Sequence, residues 1–130
     1  RFYKYHFIGQ NSKERDSVAI SHTIGPDRVV IESVVRFRHD TVLDRLYSGI
    51  EPSGEFVEIA HVLIVKFRGD RVCHEHIHWD QGSALAQIGL LDATNLPIAG
   101  PEAAHKLLDE TLPSNQFMQD VWATSEGKPL

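Results

Sequence analysis

The chain has 130 residues, a length that suits one domain, and its hydrophobic share of 42% with a charged share of 24% is ordinary for a globular protein. A formal charge of −5 excludes the basic footprint of a nucleic-acid binder, and no apolar run approaches the ~20 residues of a membrane span. The lone Cys73 excludes an internal disulfide and suits a reducing compartment, so a cytoplasmic location is expected. Eight histidines let the net charge swing towards neutrality in mild acid. No secretory leader is expected; the chain opens on Arg1-Phe2-Tyr3 without methionine, so an upstream segment is expected to be missing.

Phe2, Tyr3, Tyr5, Phe7 and Ile8 form an aromatic cluster that Gly9 ends, and it reads as the last turn of a helix whose beginning is absent. Gln10 to Ser17 is polar and reads as loop. Val18 to Ile24 predicts a short strand, closed by the turn signal Gly25-Pro26-Asp27. Val29 to Arg38 predicts a stronger one, with Val29, Ile31, Val35 and Phe37 on one face. His39 to Gly54 is irregular, punctuated by Gly49, Pro52 and Gly54. Glu55 to Phe67 predicts the longest strand, Arg68-Gly69-Asp70-Arg71 a turn, and Val72 to Asp80 the returning strand of a hairpin. The period then changes: Ala84, Leu85, Ile88 and Leu91 lie at helical spacing, and Gly89 limits that helix to about two turns. Gly100-Pro101-Glu102 marks a second helix start, which runs through Ala104, Leu107 and Leu108. Residues 1–112 read as one domain and 113–130 as a tail, polar from Ser114 apart from a helical stripe of Phe117, Met118, Val121 and Trp122. The stripe is expected to pack on its own domain rather than on a partner chain.

The hairpin sets the candidate chemistry. A two-residue Gly69-Asp70 turn predicts the pairs Phe67 with Val72, Lys66 with Cys73, Ile64 with Glu75, Val62 with Ile77 and Ala60 with Trp79; paired residues share a face. One face then carries Glu58, Ala60, Val62, Ile64, Cys73, Glu75, Ile77 and Trp79. The other carries Ile59, His61, Leu63, Val65, Phe67, His74, His76, His78 and Asp80. A turn one residue longer would flip one strand against the other, whereas the alternation within Val72 to Asp80 is secure.

The run Phe67-Arg68-Gly69-Asp70-Arg71-Val72 through His74-Glu75-His76-Ile77-His78-Trp79-Asp80-Gln81 resembles the final hairpin of SnoaL-like proteins, of the nuclear-transport-factor-2-like superfamily. So does the continuation Leu85-Ala86-Gln87-Ile88-Gly89-Leu90-Leu91-Asp92, and Phe37-Arg38-His39-Asp40 with Gly49-Ile50-Glu51-Pro52-Ser53-Gly54 fits a branch of it. The resemblance covers about Phe2 to Leu108. It implies an α+β fold: a cone-shaped, curved antiparallel sheet packed with helices (a cystatin-like roll), a pocket inside, and frequent dimerisation. Family members begin with helices that close the cone, and this chain lacks most of them, so the N-terminal helices are expected to be missing. Relatives include polyketide cyclases, dehydratases, isomerases, epoxide hydrolases and plain binding proteins, so the fold alone does not set the chemistry.

In those relatives the register of Glu75 faces the pocket, which makes it the first catalytic candidate; a surface-facing or ion-paired glutamate is the alternative. A carboxyl among apolar neighbours is raised in pKa towards general acid/base work. Glu58, on the same predicted face, and Asp80 are the further catalytic candidates, Asp80 having helix capping as an equal alternative. Trp79, Ile77, Val62 and Ile64 are the predicted pocket wall. No metal is expected. The fallback set is His61, His76 and His78, spaced for metal ligation but without a converging ligand from another element. The expected function is therefore a cofactor-independent isomerase, cyclase or lyase acting by general acid/base catalysis on a small apolar metabolite with a carbonyl or polyketide-like skeleton. The alternative is a non-catalytic ligand-binding or dimerisation module. Partners are expected to be the metabolite and a second copy in a homodimer, with no nucleic acid and no membrane. The dimer patch is expected on Ile59, Leu63, Val65 and Phe67.

Overall fold

The computed structural model describes residues 1–113 and 116–129, and the side chains of residues 116 and 118–120 are outside the described set. Ser114, where the polar tail begins, and the side chain of Met118 in the tail stripe therefore lie outside the described residues.

The fold is α+β. Strands β1 (Arg15–Ile24), β2 (Arg28–Arg38), β3 (Phe56–Arg68) and β4 (Arg71–Trp79) form one antiparallel sheet in that order. A π-type helical turn, Tyr3–Phe7, precedes them and runs into a tighter turn, Ile8–Gln10. Helix α1 (Asp44–Tyr47) lies within the segment read as irregular; α2 (Gln81–Gln87), α3 (Glu102–Leu108) and α4 (Gln116–Ala123) follow the sheet. No helix among the described residues is long and apolar enough to cross a membrane.

Local chemistry accounts for the helix ends. The Asp80 side chain accepts the Ser83 N–H at 3.1 Å, capping α2 and satisfying one of the orphan donors of its first turn. Gly89, at φ +75°, ends that helix in a left-handed conformation that side chains rarely adopt. β4 stops pairing at Trp79, opposite His61, so the earlier part of β3 has no strand on that side. Gln87 fills the gap: its side chain accepts from Glu58 N and donates to Glu58 O, both at 2.9 Å, as a strand would.

Two faces of the sheet are covered differently. On one, Val35, Phe37, Val57 and Ile59 pack with Leu43, Leu46, Tyr47, Ala84 and Ile88 from α1, α2 and their flanks. The buried Tyr47 hydroxyl donates to Ala84 O at 3.0 Å, joining the two helices, and burial pushes its pKa up. On the other face, α3 packs on β2 and β3, with Ala104 and Val34 fully buried. Of the tail stripe, Phe117, Val121 and Trp122 stay exposed, Trp122 to 74%, so the expected docking on the chain's own domain is not what is found.

The hairpin register corrects the sequence reading. The pairs Arg68–Arg71 and Phe67–Val72 form as expected, but Lys66 then pairs with His74, not Cys73. A bulge at Cys73 takes up one residue, and every later pair shifts: Val65–Glu75, Leu63–Ile77, His61–Trp79. Glu75, Ile77 and Trp79 therefore share a face with Ile59, His61, Leu63 and Val65. Val62, Ile64 and Glu58 share the opposite face with His74, His76 and His78.

Candidate functional site

A cavity of about 400 Å³ lies over the first of these faces, beneath the N-terminal turn. Its wall is largely apolar: Val35, Phe37, Ile59 and Leu63 from the two central strands, Ile77 and Trp79 from β4, Leu46 from α1, and Phe2 and Phe7 from the turn. Five polar groups interrupt it: Tyr3, Arg15, Arg45, His61 and Glu75.

Four of them, Tyr3, Arg45, His61 and Glu75, are held by their neighbours. Arg45, on α1, donates to Phe7 O at 2.8 Å and to Asn11 Oδ1 at 3.0 Å, and its guanidinium sits 4.6 Å from the centre of the Phe7 ring. That fixes the aromatic turn over the cavity. Tyr3 reaches across and donates its hydroxyl to Glu75 Oε2, an interaction that raises the Tyr3 pKa first by the hydrogen bond and then by burial. His61 Nδ1 lies 3.2 Å from the Ser33 hydroxyl, across the β2–β3 pair, which leaves Nε2 without a partner among the described residues. Burial, reinforced by the Arg15 and Arg45 charges, holds the His61 imidazole below its ordinary pKa, while Glu75 opposes the shift. The ring is thus neutral at pH 7, with a nitrogen lone pair available for proton transfer. Trp79 Nε1 donates to Gln81 Oε1 at 2.6 Å and Gln81 Nε2 to Leu46 O at 2.7 Å, so this wall residue is tied to both α1 and α2.

Of the residues singled out by sequence, Glu75, Ile77 and Trp79 line the cavity. Val62 and Ile64 do not: the bulge turns them to the opposite face, where Ile64 meets Arg28, Lys66, His74 and His76 in an open depression. Glu58 is also on that face. Arg36 Nε lies 2.7 Å from its Oε1 as an ion pair not aligned for a hydrogen bond, and His105 of α3 contacts its Oε2. It clamps α3 to the sheet. Asp80 is the cap of α2 and does not line the cavity. The fallback metal set is split: His61 faces the cavity, whereas His76 and His78 face away, and no group of three potential ligands converges among the described residues. The expected dimer patch is corrected for the same reason, since Ile59 and Leu63 line the cavity and Val65 is buried on that face.

Sequence reasoning misses Tyr3, Arg15 and Arg45 and assigns His61 to the wrong face. Tyr3 has a signal, the aromatic cluster of Phe2 to Ile8, which needs something to cover. Arg45 has none, lying in a segment without periodicity.

The chain matches no family profile and no curated protein sequence. A solved structure that resembles it is that of AclR from Streptomyces galilaeus, a proposed hydroxylase: 19% of residues are identical, the TM-score is 0.46, and the likeness covers 70% of this chain and 60% of that one.

Proposed function

We propose that the chain is a SnoaL-like enzyme, its sheet and helices forming the cone of that family, that transfers a proton on a small, largely apolar carbonyl compound without a cofactor, as an isomerase, cyclase or dehydratase. The observation that carries this reading is the pairing of a carboxylate, Glu75, with an imidazole held neutral, His61, on one wall of a mainly apolar cavity. A carboxylate and an imidazole on one wall of a mainly apolar cavity are the kinds of group that general acid/base chemistry uses. His61 sits opposite Trp79 and Glu75 opposite Val65, so their backbones are four residues apart along β3, roughly 13 Å at ~3.4 Å per residue. That separation leaves room for a substrate between the two side chains.

In this mechanism Glu75 removes a proton from the carbon next to the carbonyl. The C–H electron pair moves into an enolate, and the Glu75 carboxylic acid so formed returns the proton to a carbon of that enolate, while neutral His61 contacts the polar group at the far end of the skeleton. Tyr3 is a positioning residue that orients the Glu75 carboxylate. A homodimer belongs to the proposal, on a surface other than the one first expected: the exposed Phe117, Val121 and Trp122 stripe of α4 is the apolar face it would cover. A cytoplasmic site of action goes with it, on the strength of the lone Cys73.

A model ketone suffices for the test. Deuterium exchange at the carbons flanking the carbonyl of 2-tetralone in D₂O, followed by NMR, should be faster with the protein than in buffer. Glu75→Gln should lower the enzyme-dependent rate by about two to four decades with the fold retained. Exchange that Glu75→Gln leaves unchanged would remove Glu75 from its role. Binding of 2-tetralone with no exchange above buffer would make the chain a binding module instead.

A further inference from the structure

We infer that the cavity is built for an anion: its ligand carries a carboxylate or a similar planar anionic group that lies against Arg15 and Arg45, with its apolar body between Phe37, Ile59, Leu63 and Trp79. This deepens the reading of the same cavity and rests on that cavity being the ligand site.

Two guanidinium groups, from different elements of the fold, line one mostly apolar chamber. Among the described residues no carboxylate oxygen lies within 4.0 Å of either. Arg45 is held by two neutral acceptors, Phe7 O and Asn11 Oδ1, which orient it without neutralising it. Arg15 stands exposed at the start of the edge strand β1, opposite Phe37, and lines the same chamber. Arg45 carries its charge at a cost as it stands: burial lowers its pKa, and the Arg15 charge lowers it further. The one acid in the wall, Glu75, is engaged by the Tyr3 hydroxyl. With His61 neutral, two positive groups face one negative group, so the chamber is net cationic in a chain whose formal charge is −5. A local field opposed to the global one, focused by low-dielectric walls, attracts anions. The planar guanidinium fork matches a carboxylate. An anion there would also lie at the end of the cavity away from Glu75, because Arg15 pairs with Phe37, Phe37 with Val57, and Glu75 with Val65. Like charges are thereby kept apart, and the reacting carbon falls between the anion and Glu75.

Titration calorimetry with two naphthalenes of matched shape tests this, 2-naphthoate against the uncharged 2-acetonaphthone. Wild-type protein should bind the carboxylate at least about tenfold more tightly, the effect of one well-placed charged hydrogen-bonding group. Arg15→Gln, whose melting temperature serves as the fold control, should bring the two affinities together. Arg15→Lys should restore part of the preference, and Glu75→Gln should strengthen 2-naphthoate binding by removing a like charge from the chamber. Equal wild-type affinities, or a preference that Arg15→Gln leaves intact, overturn the inference. The two readings fail separately: an anion preference without deuterium exchange removes only the catalytic proposal, and exchange without an anion preference removes only this one.

Discussion

His39 offers a test of the physical reasoning that does not depend on any ligand. Its side chain is 0% exposed, at the end of β2, with its ring centroid 4.6 Å from that of Tyr47. Nδ1 accepts the Ser53 N–H at 3.2 Å, while Nε2 is buried without a partner among the described residues. An Nδ1 that accepts must carry no proton, so the ring is neutral with its proton on Nε2. Charging it would turn that acceptor into a donor facing an N–H and place a cation in the core. Burial accordingly lowers the His39 pKa, against a smaller opposing pull from Asp40, and burial lowers that of His61 as well. The sign follows from linkage. A histidine with a depressed folded-state pKa takes up its proton in the unfolded chain first. Stability is therefore full above the unfolded value near 6.5, falls as pH drops towards the folded-state value, and levels off below it. One such group contributes a slope of up to about 1.4 kcal/mol per pH unit within that window; the half-buried His61 adds less than a second full share, so the total stays below about 2.7. Asp27, Asp92 and Asp109, whose pKa values are also lowered, act only near and below 3.8 and do not confuse the measurement. Urea unfolding at pH 7.5, 6.5, 6.0 and 5.5 reads the slope directly. His39→Asn keeps an oxygen acceptor for Ser53 but cannot titrate, and it should flatten the slope by up to about 1.4 kcal/mol per pH unit. At pH 7.5 the same variant should cost about 1–3 kcal/mol in lost packing on Tyr47, partly offset by removing an unpaired buried donor. A variant with the wild-type slope, or a wild-type protein that gains stability between pH 7.5 and 5.5, would refute the argument.

Asp80→Ala should lower stability by about 1 kcal/mol in urea melts through loss of the α2 cap, while Asp80→Asn keeps the cap. Neither should change deuterium exchange on 2-tetralone by more than a few-fold; a loss of decades in Asp80→Asn would return Asp80 to the catalytic machinery. Sedimentation at pH 7.5 should show a dimer at micromolar concentration that Trp122→Asp converts to monomer, and a wild-type monomer would end that part of the proposal.

The strands and the hairpin between the last two were open to reading because each carries its own signal. β2 alternates, β4 alternates strictly from His74 to Trp79, and the Gly69-Asp70 turn between Arg68 and Arg71 places the hairpin. The helix after Asp80 shows its cap, its periodic apolar positions and its terminating glycine. Those are local features, and local features survive the transfer from sequence to structure. β1 is the instructive exception among them. It begins at Arg15, inside a stretch that reads as loop, because its first residues are an exposed edge paired only to β2 and need no apolar face.

What could not be read was which face of β3 meets which face of β4, and the reason is physical. β3 is apolar on both sides: Val57, Ile59, Leu63 and Val65 on one, Ala60, Val62 and Ile64 on the other. It is covered on one side by α1 and α2 and in part on the other by α3, so both faces need apolar side chains and the period-2 signal disappears. With no preference written into β3, the register depended wholly on counting residues from the turn, and a single bulged residue, Cys73, reverses the count. The consequence reaches the chemistry. In the unbulged register Glu75 would share its face with Val62, Ile64 and Glu58, a carboxylate pair with no base between them, and His61 would face away. In the observed register Glu75 faces the same cavity as His61, Arg15 and Arg45, and Glu58 is left to hold α3. One extra residue thus separates a carboxylate pair from a carboxylate and a neutral imidazole facing the same chamber.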